Sequence, residues 1–287
     1  MAKDKFTATW VSHTSLSDFL NCPRAYYLRN VYRRPDSNHK IQITTPPLSL
    51  GSAVHEVLES LSVLQTRERF SEPLLLKFDL AWEKYHGRTG GFFNMDTEYQ
   101  YKKRGQEMVK RVEKNPGPLS TLAVKINMDY PYYYLSEEEN IILGGRIDWL
   151  QYLKDSDSVK VIDFKTGRRE EDSDSLQLPI YVLLSKNCQK REVTGAAYWY
   201  LESSDTPVEK TLPDLKNCEK EILEIARKIK VSKALDKLKC PTSGCKYCEP
   251  YEKIFRNEAE FVGINSYGQD CFILPQQTEE SREGQIL

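Results

Sequence analysis

Apolar residues change their period along this chain. From Thr14 to Arg34 ("TSLSDFLNCPRAYYLRNVYRR") they recur at helical spacing, with Leu16, Phe19 and Leu20 as the stripe and Thr14 or Ser15 as the N-cap. Pro23 bends this helix or starts a second one. Residues 36–47 are polar and read as loop, in which Ile41 and Ile43 could insert a short strand. A further helix opens near "LGSAVHEVLESL" (50–61), and the pattern stays mostly helical to about residue 114, broken by the glycine-rich "HGRTGGFF" (86–93). Three runs rich in β-branched and aromatic residues follow: 121–135, 141–153 and 158–167. Short polar turns, "SEEEN" and "KDSD", separate them and predict an antiparallel meander. Pro131 marks the first strand as an edge or a bulged one. A helix at about 174–187, strands at 194–202 and 208–212, and a last helix from Leu215 to Leu238 complete the pattern. The tail after about Glu260 has few periodic apolar positions and reads as partly disordered.

This order predicts a mixed α/β core with helical additions at both ends. The expected units are an N-terminal helical region (1–119), a core of sheet and crossover helix (120–213), a C-terminal helix with a cysteine segment (214–260) and a tail (261–287).

A chain of 287 residues with 39% hydrophobic and 29% charged positions can bury a real core and stay soluble. The start, "MAKDKFTATW", lacks the apolar stretch of a signal peptide, and no later run reaches membrane-spanning length. A cytoplasmic location and no membrane partner are therefore expected. There, seven cysteines read as thiols or metal ligands rather than disulfides. A net charge of −1 does not announce a nucleic-acid binder. The basic residues are nevertheless clumped at 29–34, 101–111, 167–169 and 227–233, which suits either a positive groove or solvated helix faces.

The candidate chemistry begins in "KVIDFKTG". Alternation along a strand puts Asp163 and Lys165 on one face, with Phe164 on the other. If the preceding run pairs with this one as a hairpin, "GGRID" sets Asp148 beside Asp163. Two adjacent carboxylates repel unless a cation lies between them, and Mg²⁺ or Mn²⁺ favours such oxygen ligands. Lys165 could then orient and help deprotonate a water or stabilise charge on a scissile phosphate. A lone D-x-K is more often a structural ion pair; "GGRID", the following "TG" and "QLPIY" on the next helix lift this one above that reading.

Together, "GRID", "VIDFKTG" and "QLPIY" resemble the PD-(D/E)xK nuclease superfamily, specifically its RecB-type branch with AddB-like helicase-nucleases and CRISPR-associated exonucleases. The similarity extends to "LSDFLNCPRAYYLR" (16–29), "LGSAVHEVLE" (50–59) and "CPTSGCKYCEPY" (240–251), in the family's order. It implies a restriction-endonuclease-like core in which His55, Asp148, Asp163 and Lys165 form the active site, the first three facing a metal. Gln177 and Tyr181 match the family's Q-x-x-x-Y and share one helical face. Glu59, one turn after His55, is left open between positioning His55 and facing solvent.

The resemblance also implies that Cys22 joins Cys240, Cys245 and Cys248 around a 4Fe–4S cluster, with structural zinc as the alternative. This chain departs from the family order: Cys240 precedes the C-x₂-C pair, and "EPYEKIF" after it lacks a cysteine. Cys188, Cys218 and Cys271 match no ligand pattern. The expected activity is a metal-dependent DNA nuclease, an exonuclease on ends or single strands in repair, recombination or CRISPR adaptation. The competing readings are a non-catalytic DNA-binding or scaffold subunit and a nuclease module of a helicase complex. There is no GxxxxGK phosphate loop, so unwinding would need a helicase partner. An RNA substrate is conceivable. Tyr26, Tyr27, Tyr32, Phe92, Phe93 and "YPYYY" offer stacking surfaces, and the helical stretch 60–119 offers a channel wall.

Overall fold

The computed structural model describes residues 4–275. It opens with a short strand, β1 (Thr9–Val11), that periodicity had not suggested. Helix α1 (His13–Asn21) starts earlier than expected because Ser12 is its cap. Ser12 Oγ accepts from the Ser15 N–H at 3.3 Å, and Ser15 Oγ accepts from the Ser12 N–H at 2.8 Å. Leu16 and Phe19 are buried, whereas Leu20 lies outside the stripe at 58% exposed. Pro23 does start a second helix, α2 (Pro23–Tyr26), which runs on into a wider turn over Tyr27–Val31. Ile41 and Ile43 do form a strand, β2 (Lys40–Ile43). Helix α3 (Pro46–Ser60) begins on its proline pair rather than near residue 50, since proline suits a first helical turn.

Helices α4 (Leu74–Trp82) and α5 (Met95–Lys114) flank a glycine turn at Gly87–Gly90. They pack closely: a Cβ on Gly105 would lie 2.2 Å from the Phe78 ring. Strands β3 (Tyr132–Ser136), β4 (Ile141–Gly144), β5 (Trp149–Leu153) and β6 (Ser158–Lys165) follow. Then come α6 (Gln177–Cys188), β7 (Val193–Tyr200), β8 (Val208–Lys210), α7 (Leu215–Ala234), α8 (Glu249–Phe255), β9 (Glu260–Ile264) and β10 (Gln269–Ile273).

The single meander expected over 121–167 is instead two hairpins in different sheets. Residues 145–148 interrupt the run 141–153, so β4 pairs with β3 and β1 while β5 pairs with β6. The break has a local cause: a Cβ on Gly144 would meet the Tyr130 ring at 2.5 Å, and the Gly145 N–H turns to the Pro131 carbonyl at 3.1 Å. Strand β3 is an edge with a register irregularity between Tyr134 and Ser136, as Pro131 suggested. Just upstream of β3, Ala123 bridges Gln151 of β5.

The central sheet runs β5-β6-β7-β8 and is mixed: β6 and β7 are parallel with α6 crossing between them, and both outer pairs are antiparallel. One face (Trp149, Ile162, Phe164, Ala197, Trp199) packs on α3, α4 and α5. The other (Leu150, Val161, Ala196, Tyr198) packs on Leu178 and Val182 of α6. The tail is corrected too: β9 and β10 pair antiparallel, and β10 pairs parallel with β2. The remainder of the expected disordered stretch, 276–287, lies outside the described residues. Among the described residues no helix is long and apolar enough to cross a membrane.

Candidate active site

Register builds the site. Trp149 pairs with Ile162, which sets Asp148 opposite Asp163, and the Phe164 N–H donates to Asp148 Oδ2 at 2.8 Å. Asp148 thus stands at the entry of β5, not at the end of the strand before it. Helix α3 lies over this end of the sheet, with the His55 ring edge-on to Phe164 at 6.1 Å. His55 Nδ1 is 3.5 Å from Asp148 Oδ1 and 3.7 Å from Glu59 Oε1. One donor atom each from His55, Glu59 and Asp148 lies within 4.8 Å of the others.

Asp163 occupies a different part of the cluster. It is 1% exposed, its Oδ1 accepts from Gln177 Nε2 at 3.0 Å, and its Oδ2 lies 3.1 Å from Lys165 Nζ. That Oδ2 has no hydrogen-bond partner of proper geometry. Lys165 Nζ also donates to Gln177 Oε1, lies 2.8 Å from Glu171 Oε2 and stands 4.9 Å from the Tyr198 ring centroid. Gln177 Nε2 reaches the Tyr181 hydroxyl at 3.3 Å, so the i, i+4 pair bridges Asp163 and Lys165 from one helix face. Hence all six expected residues meet in one place. Two further carboxylates join them: Glu59, whose helical spacing from His55 was a visible signal, and Glu171, on a loop with no periodicity to reveal it.

Burial, reinforced by Asp148, pushes the Asp163 carboxyl up to about 8. Burial disfavours a charged His55, but Asp148 and Glu59 outweigh it and raise the imidazole well above its usual value. Lys165 likewise loses solvent, yet Asp163 and Glu171 raise its ammonium above the normal range. The His55 imidazole with the Glu59 and Asp148 carboxylates is a donor set that fits a divalent cation, and the buried Asp163 carboxylate stands opposite Asp148.

Two clefts flank this centre. One, of about 360 Å³, is lined by Glu59, Met128, Asp129, Arg146 and Asp148. The other, of about 410 Å³, gathers Lys103, Arg104, Arg111 and Arg168 from two basic clumps far apart in sequence. Arg104 and Arg168 share Glu202 at 2.6 and 3.1 Å, and the Leu201 N–H donates to the Lys165 carbonyl at 2.9 Å, which places this cleft beside the cluster. Of the expected stacking aromatics, Tyr26 and Phe92 are core residues. Much of 60–119 is likewise core, since α4 and α5 bury Phe78, Trp82 and Met108 against the sheet.

Cys22, at the junction of α1 and α2, meets Cys240, Cys245 and Cys248, and all four sulfurs lie within 4.8 Å of one another. Four thiols within such reach of one another could hold a metal. Cys188, Cys218 and Cys271 are free thiols outside this group.

A search of curated proteins gives no significant match to the chain. A family model described as the PD-(D/E)XK nuclease superfamily matches residues 10–252, which include every residue of both clusters. With that match over most of its length, the chain belongs to the PD-(D/E)xK nuclease superfamily, whose members hydrolyse phosphodiesters with divalent metals.

Proposed function

We propose that this protein is a DNA exonuclease acting on ends or single strands, in repair, recombination or CRISPR adaptation, alone or beside a helicase. The observation that carries the catalytic reading is the convergence of His55, Asp148 and Asp163 with Lys165 at one end of the central sheet. A Mg²⁺ or Mn²⁺ ion held by Asp148, Asp163 and His55, with Glu59 in reach, would neutralise phosphate charge and acidify a water.

The protein's own groups then have defined tasks. Lys165 is held cationic by Asp163 and Glu171, so it has no lone pair with which to take a proton. Its role is to donate hydrogen bonds to the attacking water or to the phosphate oxygens and offset the charge growing there. Gln177 fixes Lys165 and Asp163 relative to each other, and Tyr181 fixes Gln177. The basic cleft beside Lys165 supports a nucleic-acid backbone as the substrate.

The test is cleavage of end-labelled single- and double-stranded DNA with Mg²⁺ or Mn²⁺, next to Lys165→Ala and a circular substrate. Wild type should shorten labelled ends and spare circles. Lys165→Ala should lose cleavage by about 10²-fold or more while still binding DNA. Undiminished cleavage by that variant overturns the site, and cutting of circles overturns the exonuclease assignment. RNA of the same sequence in the assay separates the two nucleic acids.

A further inference from the structure

We propose that Cys22, Cys240, Cys245 and Cys248 hold a single zinc ion in a closed tetrahedral site, and not an iron–sulfur cluster. The inference is independent of the nuclease reading. Zinc–thiolate bonds of about 2.3 Å in a tetrahedron put the sulfurs roughly 3.8 Å apart. Here all four sulfurs fall within 4.8 Å of one another, and Cys245 Sγ and Cys248 Sγ are 3.6 Å apart. A cubane cluster binds each thiolate through a separate iron and fills the space between them with iron and sulfide, so its ligands stand well beyond mutual contact.

The surroundings oppose such an expansion. Cys22 is fully buried and packs with Cys248, Ala25, Leu28 and Tyr251 in one apolar cluster. Helix α2, just after Cys22, is tied to α8, just after Cys248, through Arg24 and Glu252: Nε to Oε1 at 2.6 Å and Nη2 to Oε2 at 3.3 Å. That tie and the apolar contact hold Cys22 and Cys248 close together. Local chemistry agrees with a single ion. The gaps Cys240-x₄-Cys245 and Cys245-x₂-Cys248 are structural-zinc spacings. The Cys245 N–H points at Cys248 Sγ at 3.4 Å, a backbone donor that supports thiolate charge. With four protein ligands no coordination position is left open, so the ion's work is to clasp the start of the nuclease fold to its end.

The test uses the full chain, produced with added iron and a sulfide source and purified without oxygen. We expect a colourless protein with about one zinc per chain and no acid-labile sulfide. Zinc taken up at the carboxylate site would confuse the count, so the variant His55→Ala/Asp148→Asn is measured in parallel and should keep its zinc. Cobalt in place of zinc should give the intense visible bands of a tetrahedral thiolate site, lost in Cys240→Ser. A brown protein with about four irons and matching labile sulfide overturns the proposal. So does a chain that holds no stoichiometric metal, or zinc that disappears in the His55→Ala/Asp148→Asn variant.

Discussion

Arg146 and Tyr267 touch across the molecule: Arg146 Nη1 donates to the Tyr267 hydroxyl at 2.9 Å, and the guanidinium lies 5.0 Å from the ring centroid. Arg146 lines the same cleft as Asp148, so the tip of the β9–β10 hairpin reaches the rim of the active site. The tip is fixed by Asn265 Oδ1, which accepts from the Tyr267 and Gln269 N–H groups at 3.0 Å each. Tyr267 remains 67% exposed, an aromatic ring backed by a cation.

A base leaving the catalytic centre would stack there. Stacking on one aromatic is worth about 1–3 kcal/mol, so Tyr267→Ala should raise KM for single-stranded DNA about 5- to 150-fold with little change in kcat. Tyr267→Phe should behave as wild type. Steady-state cleavage of a short oligonucleotide separates the two constants, and an unchanged KM for Tyr267→Ala removes the ring from the substrate path.

Glu59 gives a second prediction. It sits 3.7 Å from His55 Nδ1 and completes the only three-residue group of possible oxygen and nitrogen ligands among the described residues. Glu59→Gln keeps size and polarity but loses the charge. The Mg²⁺ or Mn²⁺ concentration for half-maximal cleavage should rise about 10- to 100-fold, with the maximal rate much less affected. A metal titration of activity reads this directly. A solvent-facing Glu59 would leave the titration where it was.

The basic cleft predicts a salt effect. Lys103 and Arg111 line it on α5, and Arg111 pairs with exposed Asp205 at 3.1 Å. If both meet phosphates, Lys103→Ala/Arg111→Ala should weaken binding equally across sequences and flatten the log–log salt slope by about 2. Fluorescence anisotropy in EDTA, over a salt series, measures this without cleavage.

How far the sequence could be read follows from the range of each interaction. Asp163 and Lys165 share a face because a strand alternates, and Gln177 and Tyr181 share one because a helix repeats; both facts are local. Asp148 needed one more assumption, the pairing of two consecutive strands, and Trp149 does face Ile162. The break at 145–148 lies inside the run 141–153, marked there by the glycine pair and by the charged Arg146 and Asp148. Strand β10 was missed because five residues with a central cysteine carry little period of their own, and one of its two partners, β2, lies about 230 positions earlier. Glu171 is invisible for a related reason: an irregular loop delivers it to Lys165.

The small sheet that eluded the sequence carries a pH-dependent lock. Asp270, 2% exposed, accepts from Ser37 Oγ at 2.8 Å and pairs with Arg34 Nη1 at 3.0 Å and His39 Nδ1 at 2.7 Å. Burial alone would raise its carboxyl, but the hydrogen bonds from His39 and Ser37 and the charge of Arg34 win and hold it below its unfolded value near 3.8. A depressed carboxylate stabilises the fold fully above the unfolded value and loses that contribution as pH falls through the folded one. Asp270→Asn removes the charge and leaves the shape. At pH 7 the variant should be less stable by about 1–3 kcal/mol, the range for a lost charged hydrogen bond whose partners are partly solvated. Below pH 3.8 the gap to wild type should narrow steadily. Urea melts of both proteins at pH 7, 5, 4 and 3 provide the comparison, and a gap that stays constant over that series would show that the charge of Asp270 holds nothing in place.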